Sequence, residues 1–180
     1  MPSGEARRIH IIGGPGSGKT TLAKKLSEHL NIQAYDLDDL YWRNDDETYD
    51  AKRDPAERDE KFKATLKKES WIIEAAYGGW TEPGFKAADL IVILEPPTRT
   101  RQWRIIKRFL KIQAGLERAK QKERWKDIPQ FLKWSKHYPE KDFPNIQKTL
   151  DKYRHKTIKL TKKRPTIEDV IRSTKPQKAR

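Results

Sequence analysis

The sequence predicts an α/β fold in which a parallel sheet is covered by helices on both faces. Three observations carry this. The apolar runs are short and continuous rather than strictly alternating, as in strands buried on both sides. They take turns along the chain with segments of helical period. A glycine-rich turn joins the first run to the first such segment. The chain has 180 residues, which fits one domain with at most a small appended piece.

Arg8–Ile12 reads as an apolar strand ending at Gly13-Gly14. Lys19–Leu30 reads as a helix: Leu22, Leu26 and Leu30 recur every fourth residue, with Lys24, Lys25 and Glu28 on other faces. Gln33–Asp36 is a short extended piece that opens into the acidic string DLDDLYW. After a polar stretch, Pro55 marks a helix start before Ala56–Lys68. Trp71–Glu74 reads as a buried strand and Gly78-Gly79 as a turn. Leu90–Leu94 is another buried strand, stopped by Pro96-Pro97. Helical pattern then runs from Thr98 to Ile112, with Trp103, Ile106, Phe109 and Leu110 apolar. Residues 113–127 are nearly all polar. Two further helices are expected at 128–137 and 140–154, a last strand at His155–Leu160 and a terminal helix at Thr166–Arg172. Residues 175–180 form a loose basic tail. No internal repeat or low-complexity block interrupts this order.

Only 34% of residues are hydrophobic and 37% are charged, so the core must be small and use bulky residues; six Trp and five Phe supply them. The absence of Cys excludes a disulfide scaffold, a thiolate zinc site and a cysteine nucleophile. The longest aliphatic run, Leu90–Leu94, is far short of a membrane span. The first residues hold no apolar stretch suited to a signal peptide, so a soluble cytoplasmic protein is expected. Charge is uneven. Residues 1–98 carry 14 Lys and Arg against 18 Asp and Glu, whereas residues 99–180 carry 26 against 8. Such a cationic half serves nucleic acid, an acidic membrane surface or a phosphate-rich small ligand, or is simply a solvated lysine-rich surface.

GGPGSGKT, Gly13 to Thr20, matches G-x-x-x-x-G-K-[ST] in full, between an apolar strand and an amphipathic helix. Gly14, Gly16 and Gly18 let successive backbone N–H groups turn inward around an anion. Gly13, Pro15, Ser17 and Thr21 complete the loop and its helix start, whose dipole adds positive potential there. Lys19 can place its ammonium on the β- and γ-phosphates of ATP, and Thr20 can offer its hydroxyl to Mg²⁺. The loop alone does not separate kinases from other nucleotidases. The chain lacks an Asn-Lys-x-Asp string for guanine and is too short for a helicase core, so a small kinase fits best.

Asp36 and Asp38 stand at the C-terminal end of the second strand, which faces the same crevice as the loop. If the strand continues through both, their side chains point the same way. One carboxylate can then take a proton from an attacking hydroxyl while the other holds a Mg²⁺-bound water; capping of a following helix is the alternative. Glu74 ends the third strand and can orient water on Mg²⁺ beside Thr20. Arg101, Arg104 and Arg108 share one helix face, followed by Arg118 and Arg124 in the polar stretch. Guanidinium groups stabilise a transferring phosphoryl group, and an Arg-bearing segment between helices suits a lid. A solvated helix face is the plainer reading. Trp42 and Tyr77, with Tyr41 and Trp80, can wall an acceptor pocket or serve as core aromatics, and Arg43 lies beside them.

These motifs give a resemblance. The chain resembles the adenylate kinase-like small P-loop kinases, and within them the proteins labelled DNA topology modulation proteins. It does so through GGPGSGKTTLAKKLSEHL, DLDDLYW, WIIEAAYGG, AADLIVILEPP and WRIIKR, in order, over about Arg8 to Phe109. The resemblance implies a three-layer P-loop NTPase fold with a five-stranded parallel sheet and an ATP site under a mobile helical lid near 113–127. It implies that Arg104 and Arg108 contact ATP and the transferred phosphate, with Arg118 from the lid. It also implies a nucleobase loop near Thr161–Arg164 and an acceptor-side acid at Asp38. In this group the third strand usually ends in Asp-Gly, where this chain has Glu74-Ala75. Nucleoside monophosphate kinases carry an Arg soon after that strand; Tyr77–Phe85 has none, which leaves Arg43, Arg53 or Arg58 as substitutes.

The expectation is one kinase domain over 1–174, with 39–70 on the acceptor side. It transfers the γ-phosphoryl group of Mg-ATP to a small hydroxyl- or phosphate-bearing acceptor, such as a nucleoside or nucleotide. The alternative is a nucleic-acid-associated ATPase or regulator using the basic half, although no helix-turn-helix, finger or aromatic RNA-binding string is legible.

Overall fold

Along the first strand, β1 (Arg8–Ile12), Ile9 and Ile11 face one side and His10 and Ile12 the other, and all four are buried. A strand wrapped this way belongs at the centre of a sheet with two covered faces. A computed structural model describes residues 6–43, 51–117 and 127–174 and places β1 there. β2 (Ala34–Asp36), β3 (Trp71–Ala75), β4 (Leu90–Leu94) and β5 (Thr157–Leu160) complete a parallel sheet in the order β2-β3-β1-β4-β5. The chain thus leaves β1 on both sides, which opens a crevice beyond the C-terminal strand ends.

One face of the sheet carries α1 (Lys19–Leu30) and α8 (Ile167–Thr174). There Leu22, Ala23, Leu26 and Val170 pack on Ile9, Ile11, Ile72 and Val92. The other face carries α3 (Pro55–Leu66), α4 (Glu82–Ala87), α6 (Ile128–Lys141) and α7 (Phe143–Leu150). These close over Ile12, Ile73 and Ile91 with Phe62, Phe85, Tyr138 and Ile146. Each such fully buried side chain contributes about 1.5–3 kcal/mol. The three-layer arrangement expected from the apolar runs is therefore the one observed.

The elements differ from the sequence expectation in a few places. β2 stops at Asp36, because the Asp36 carboxylate accepts the Asp38 N–H at 3.0 Å and turns the chain into the short helix α2 (Asp38–Tyr41). Alternation through Asp36 and Asp38 therefore fails. β3 extends one residue, to Ala75. α4 has no counterpart in the sequence reading; burial of Phe85 holds it in place. Residues Asp151–Lys156 form a 3₁₀ turn between α7 and β5 in place of the end of a helix and the start of a strand. Trp103 is no core residue: it is 61% exposed, whereas Trp71 is wholly buried.

α5 (Thr98–Gln113) packs against α6, and Arg101 explains how. Pro139 lies inside α6, so the Ser135 carbonyl four residues earlier lacks its helical donor. The buried Arg101 guanidinium supplies the missing bond at 2.7 Å and also donates to the Thr98 hydroxyl at 3.0 Å.

Candidate functional site: a phosphate loop facing acids and aromatics

The turn after β1 adopts the shape that its glycines permit. Gly16 and Gly18 have φ of 73° and 99°, in the left-handed region that disfavours a side chain. A Cβ on Gly16 would also come within 2.4 Å of the Arg101 carbonyl oxygen. Gly18 is the N-cap of α1, and no side chain caps that helix, so its first N–H groups stay available to an anion. Gly13 and Gly14 are buried at the loop base, where Gly13 N–H donates to the Ala75 carbonyl at 3.3 Å. Ser17 is buried as well. The Lys19 ammonium lies back over the loop, 3.5 Å from the Gly14 carbonyl oxygen.

A cavity of about 890 Å³ opens in front of this loop. Pro15, Gly16, Gly18, Lys19, Thr20 and Thr21 form its floor. Asp36, Asp38, Trp42, Glu74 and Tyr77 form a second wall, and Arg104 and Arg108 a third. Of the expected site residues, Gly13, Gly14 and Ser17 support the loop from behind. Arg43 is exposed and does not line the cavity, and Arg118 lies outside the described residues.

The acidic wall is built by strand register. Asp36 and Glu74 are direct partners on β2 and β3, and Leu37 N–H donates to the Glu74 carbonyl at 3.0 Å. Asp38 opens α2 and hydrogen-bonds the Tyr77 side chain, which also receives a bond from Trp42. Burial first, and then the Asp38 charge, push the Tyr77 phenol well above its ordinary range. Its O–H therefore stays protonated and donates to Asp38, while the Trp42 indole N–H donates to its oxygen. Tyr41 stacks on Tyr77 at 4.8 Å between ring centroids and fixes that ring from behind.

The arginines divide by role. Arg104 donates to the Ser17 and Gly16 carbonyls at 2.7 and 3.3 Å and also to the Lys163 carbonyl. It thereby clamps the loop to the turn after β5. Burial, and then nearby Arg164, lower its pKa. Arg108 is half-exposed at the cavity edge, 4.0 Å from Glu117. Arg101, which shares the sequence spacing, is buried structure.

The chain matches the AAA domain family over residues 9–126. It belongs to that family. "Uncharacterized protein YqaC" of Bacillus subtilis (strain 168) is 30% identical to this chain over 133 residues, 73% of this chain and 72% of that protein. Shikimate kinase 1 of Citrobacter koseri is 34% identical over 84 residues, 42% of this chain and 47% of that enzyme, so the match spans about half of the kinase. The crystal structure of a gluconokinase from Sinorhizobium meliloti 1021 superposes with a TM-score of 0.52 at 12% identity, over 92% of this chain and 87% of that one. The fold is that of the small P-loop kinases.

Several lining residues of this cavity carry no motif in the sequence. Asp39 sits in the acidic string and had a signal there. Gln130, Phe131 and Trp134 reach the cavity from α6, far along the chain from the acids, and no local pattern marks them. Arg164, in the turn expected to approach a nucleobase, does line it. Among the described residues, no group of three or more His, Cys, Asp or Glu side chains forms a metal cage. No described helix is long and apolar enough to cross a membrane.

Proposed function

We propose that this protein is an ATP-dependent phosphotransferase acting on a small hydroxyl- or phosphate-bearing acceptor. The observation that carries it is one cavity lined both by the phosphate loop, through Pro15, Gly16, Gly18, Lys19 and Thr20, and by the acids Asp36, Asp38 and Glu74. The loop fits a triphosphate: α1 starts without a side-chain cap, and Gly16 and Gly18 take the left-handed φ that lets successive backbone N–H groups turn toward an anion. Thr20 and Glu74 fit Mg²⁺, which takes few protein ligands beside phosphate oxygens and water. When bound, Mg-ATP supplies the γ-phosphoryl group and the metal offsets its charge.

The residues of the chain then have distinct tasks. Lys19 holds the β- and γ-phosphates. Asp38 orients the acceptor hydroxyl and takes its proton, while Asp36 and Trp42 border the acceptor and Tyr77 steadies Asp38. Arg108 neutralises charge on the moving group, and Arg104 keeps the loop in shape. Residues 1–174 act as one kinase domain, with 39–70 receiving the acceptor and 113–127, including Arg118, closing as a lid. Kinship with the DNA topology modulation proteins is part of this proposal, and it rests on the DLDDLYW and WRIIKR strings.

The experiment is a phosphotransfer screen over nucleosides, nucleotides and small hydroxy metabolites. Lys19→Ala is expected to abolish ATP turnover with the thermal transition unchanged. Asp38→Asn is expected to keep ATP binding and to lower kcat about a hundredfold or more. Normal transfer by Asp38→Asn would overturn the base assignment.

A further inference from the structure

The loop motif asks for glycine at Gly13 and Gly18, yet this loop also carries Gly14 and Gly16. Gly16 needs its freedom for a φ of 73°. Gly14 does not, since its φ lies outside the left-handed region. What Gly14 lacks is room for a side chain: a Cβ there would meet the Tyr138 ring at 2.7 Å. Tyr138 is a buried residue of α6, and its hydroxyl donates to the Ala76 carbonyl at 3.2 Å, which fixes the ring in that place. Three residues earlier on the same helix face, the wholly buried Ser135 donates from its hydroxyl to the Pro15 carbonyl at 3.3 Å. Arg101 in turn holds the Ser135 carbonyl at 2.7 Å.

A planar trans peptide sets its C=O and the following N–H on opposite sides. Holding the Pro15 carbonyl toward α6 therefore turns the Gly16 N–H away from that helix. Arg104, on the Ser17 carbonyl, does the same for the Gly18 N–H from α5. The Ser17 N–H between them is taken by the Gly14 carbonyl at 3.1 Å. The loop is thus shaped from outside by two helices, through Arg104 of α5 and through Ser135 and Tyr138 of α6. Neither Ser135 nor Tyr138 lines the cavity, so each acts through the loop. We infer that Ser135 and Tyr138 are positioning residues for the nucleotide: the Ser135 hydroxyl orients the Gly16 amide, and the Tyr138 ring backs the loop at Gly14. This rests on the phosphotransfer reading of the same loop.

The test reads the Kd of Mg-ATP by calorimetry, well below the thermal transition of every variant. Ser135→Ala is expected to raise it about threefold to tenfold, as loss of one buried hydrogen bond would. Lys136→Ala, exposed at the next position of α6, is the control and is expected to leave it unchanged. Gly14→Ala is expected to raise the Kd at least about tenfold by overpacking against the ring. The same change is expected to cost much less in a Tyr138→Ala background, where that ring is gone. An unchanged Kd for Ser135→Ala, with only the thermal transition lowered, overturns the inference, because α6 then merely packs on the loop. So does an equal cost of Gly14→Ala in both backgrounds. Should Tyr138→Ala fail to fold, Ser135→Ala decides alone. Failure of the unaltered protein to bind Mg-ATP is the separate result that removes the phosphotransfer reading and the inference with it.

Discussion

Tyr77 is the residue on which the acidic wall turns. Its ring is stacked on Tyr41, its oxygen accepts from Trp42, and its hydroxyl donates to Asp38. A carboxylate held by one fixed donor keeps one orientation, and orientation is what a proton acceptor contributes beyond its basicity. Tyr77→Phe keeps the ring and its stacking but loses the donor. We expect kcat to fall roughly tenfold to a hundredfold with the KM for ATP unchanged, read by steady-state kinetics on any accepted substrate. A purely structural Tyr77 would instead shift the thermal transition and leave kcat intact. In the sequence this residue was visible only as one of four aromatics after the strands. Its bond to Asp38 joins positions 39 residues apart, and local pattern cannot reveal that.

At the scale of elements, the position of α5 over the phosphate loop depends on one compensation. Pro139 leaves the Ser135 carbonyl without its helical donor, and Arg101 fills that place from the neighbouring helix. The same helix then presents Arg104 to the loop carbonyls one turn later. Arg101→Met keeps much of the buried volume but strands the carbonyl. We expect a loss of about 2–3 kcal/mol in urea unfolding. In a Pro139→Ala background the helix can make its own bond, so the cost of Arg101→Met is expected to shrink; a double-mutant cycle measures the difference. The sequence marked Arg101, Arg104 and Arg108 as one helix face, which they are. It did not distinguish the buried tie, the loop clamp and the cavity-edge cation, because burial is set by α6 and the loop rather than by spacing.

For the whole molecule, stability should carry the signature of His10. This residue lies in the central strand, wholly buried, with Phe85 at 4.5 Å and Trp71 at 6.5 Å between ring centroids. Burial pushes its pKa down to about 3, opposed by the Gly84 backbone beside the ring. Neither ring nitrogen has a hydrogen-bond partner of good geometry. The unfolded chain takes up this proton near pH 6.5. Stability is therefore complete above that pH and falls as the pH drops towards 3, by about 1.4 kcal/mol per pH unit. Urea midpoints between pH 7.5 and 4.5 should decline accordingly, and His10→Leu should flatten that limb. The charge imbalance also takes shape at this scale. The acids of the first half and part of the basic second half meet across one cavity, on the strand ends and on α5. By itself the sequence determined the parallel sheet, the phosphate loop and the order of the main helices. Each of these is written in local periodicity, in glycine and proline placement, and in a motif of contiguous residues. Only the tertiary structure decided which arginine is buried, that Asp38 begins a helix and leans on Tyr77, and that Asp36, Asp38, Glu74, Trp42 and Tyr77 line one cavity with the phosphate loop. Those outcomes depend on side chains brought together from distant segments, and their energies are set by burial and partners that spacing does not encode.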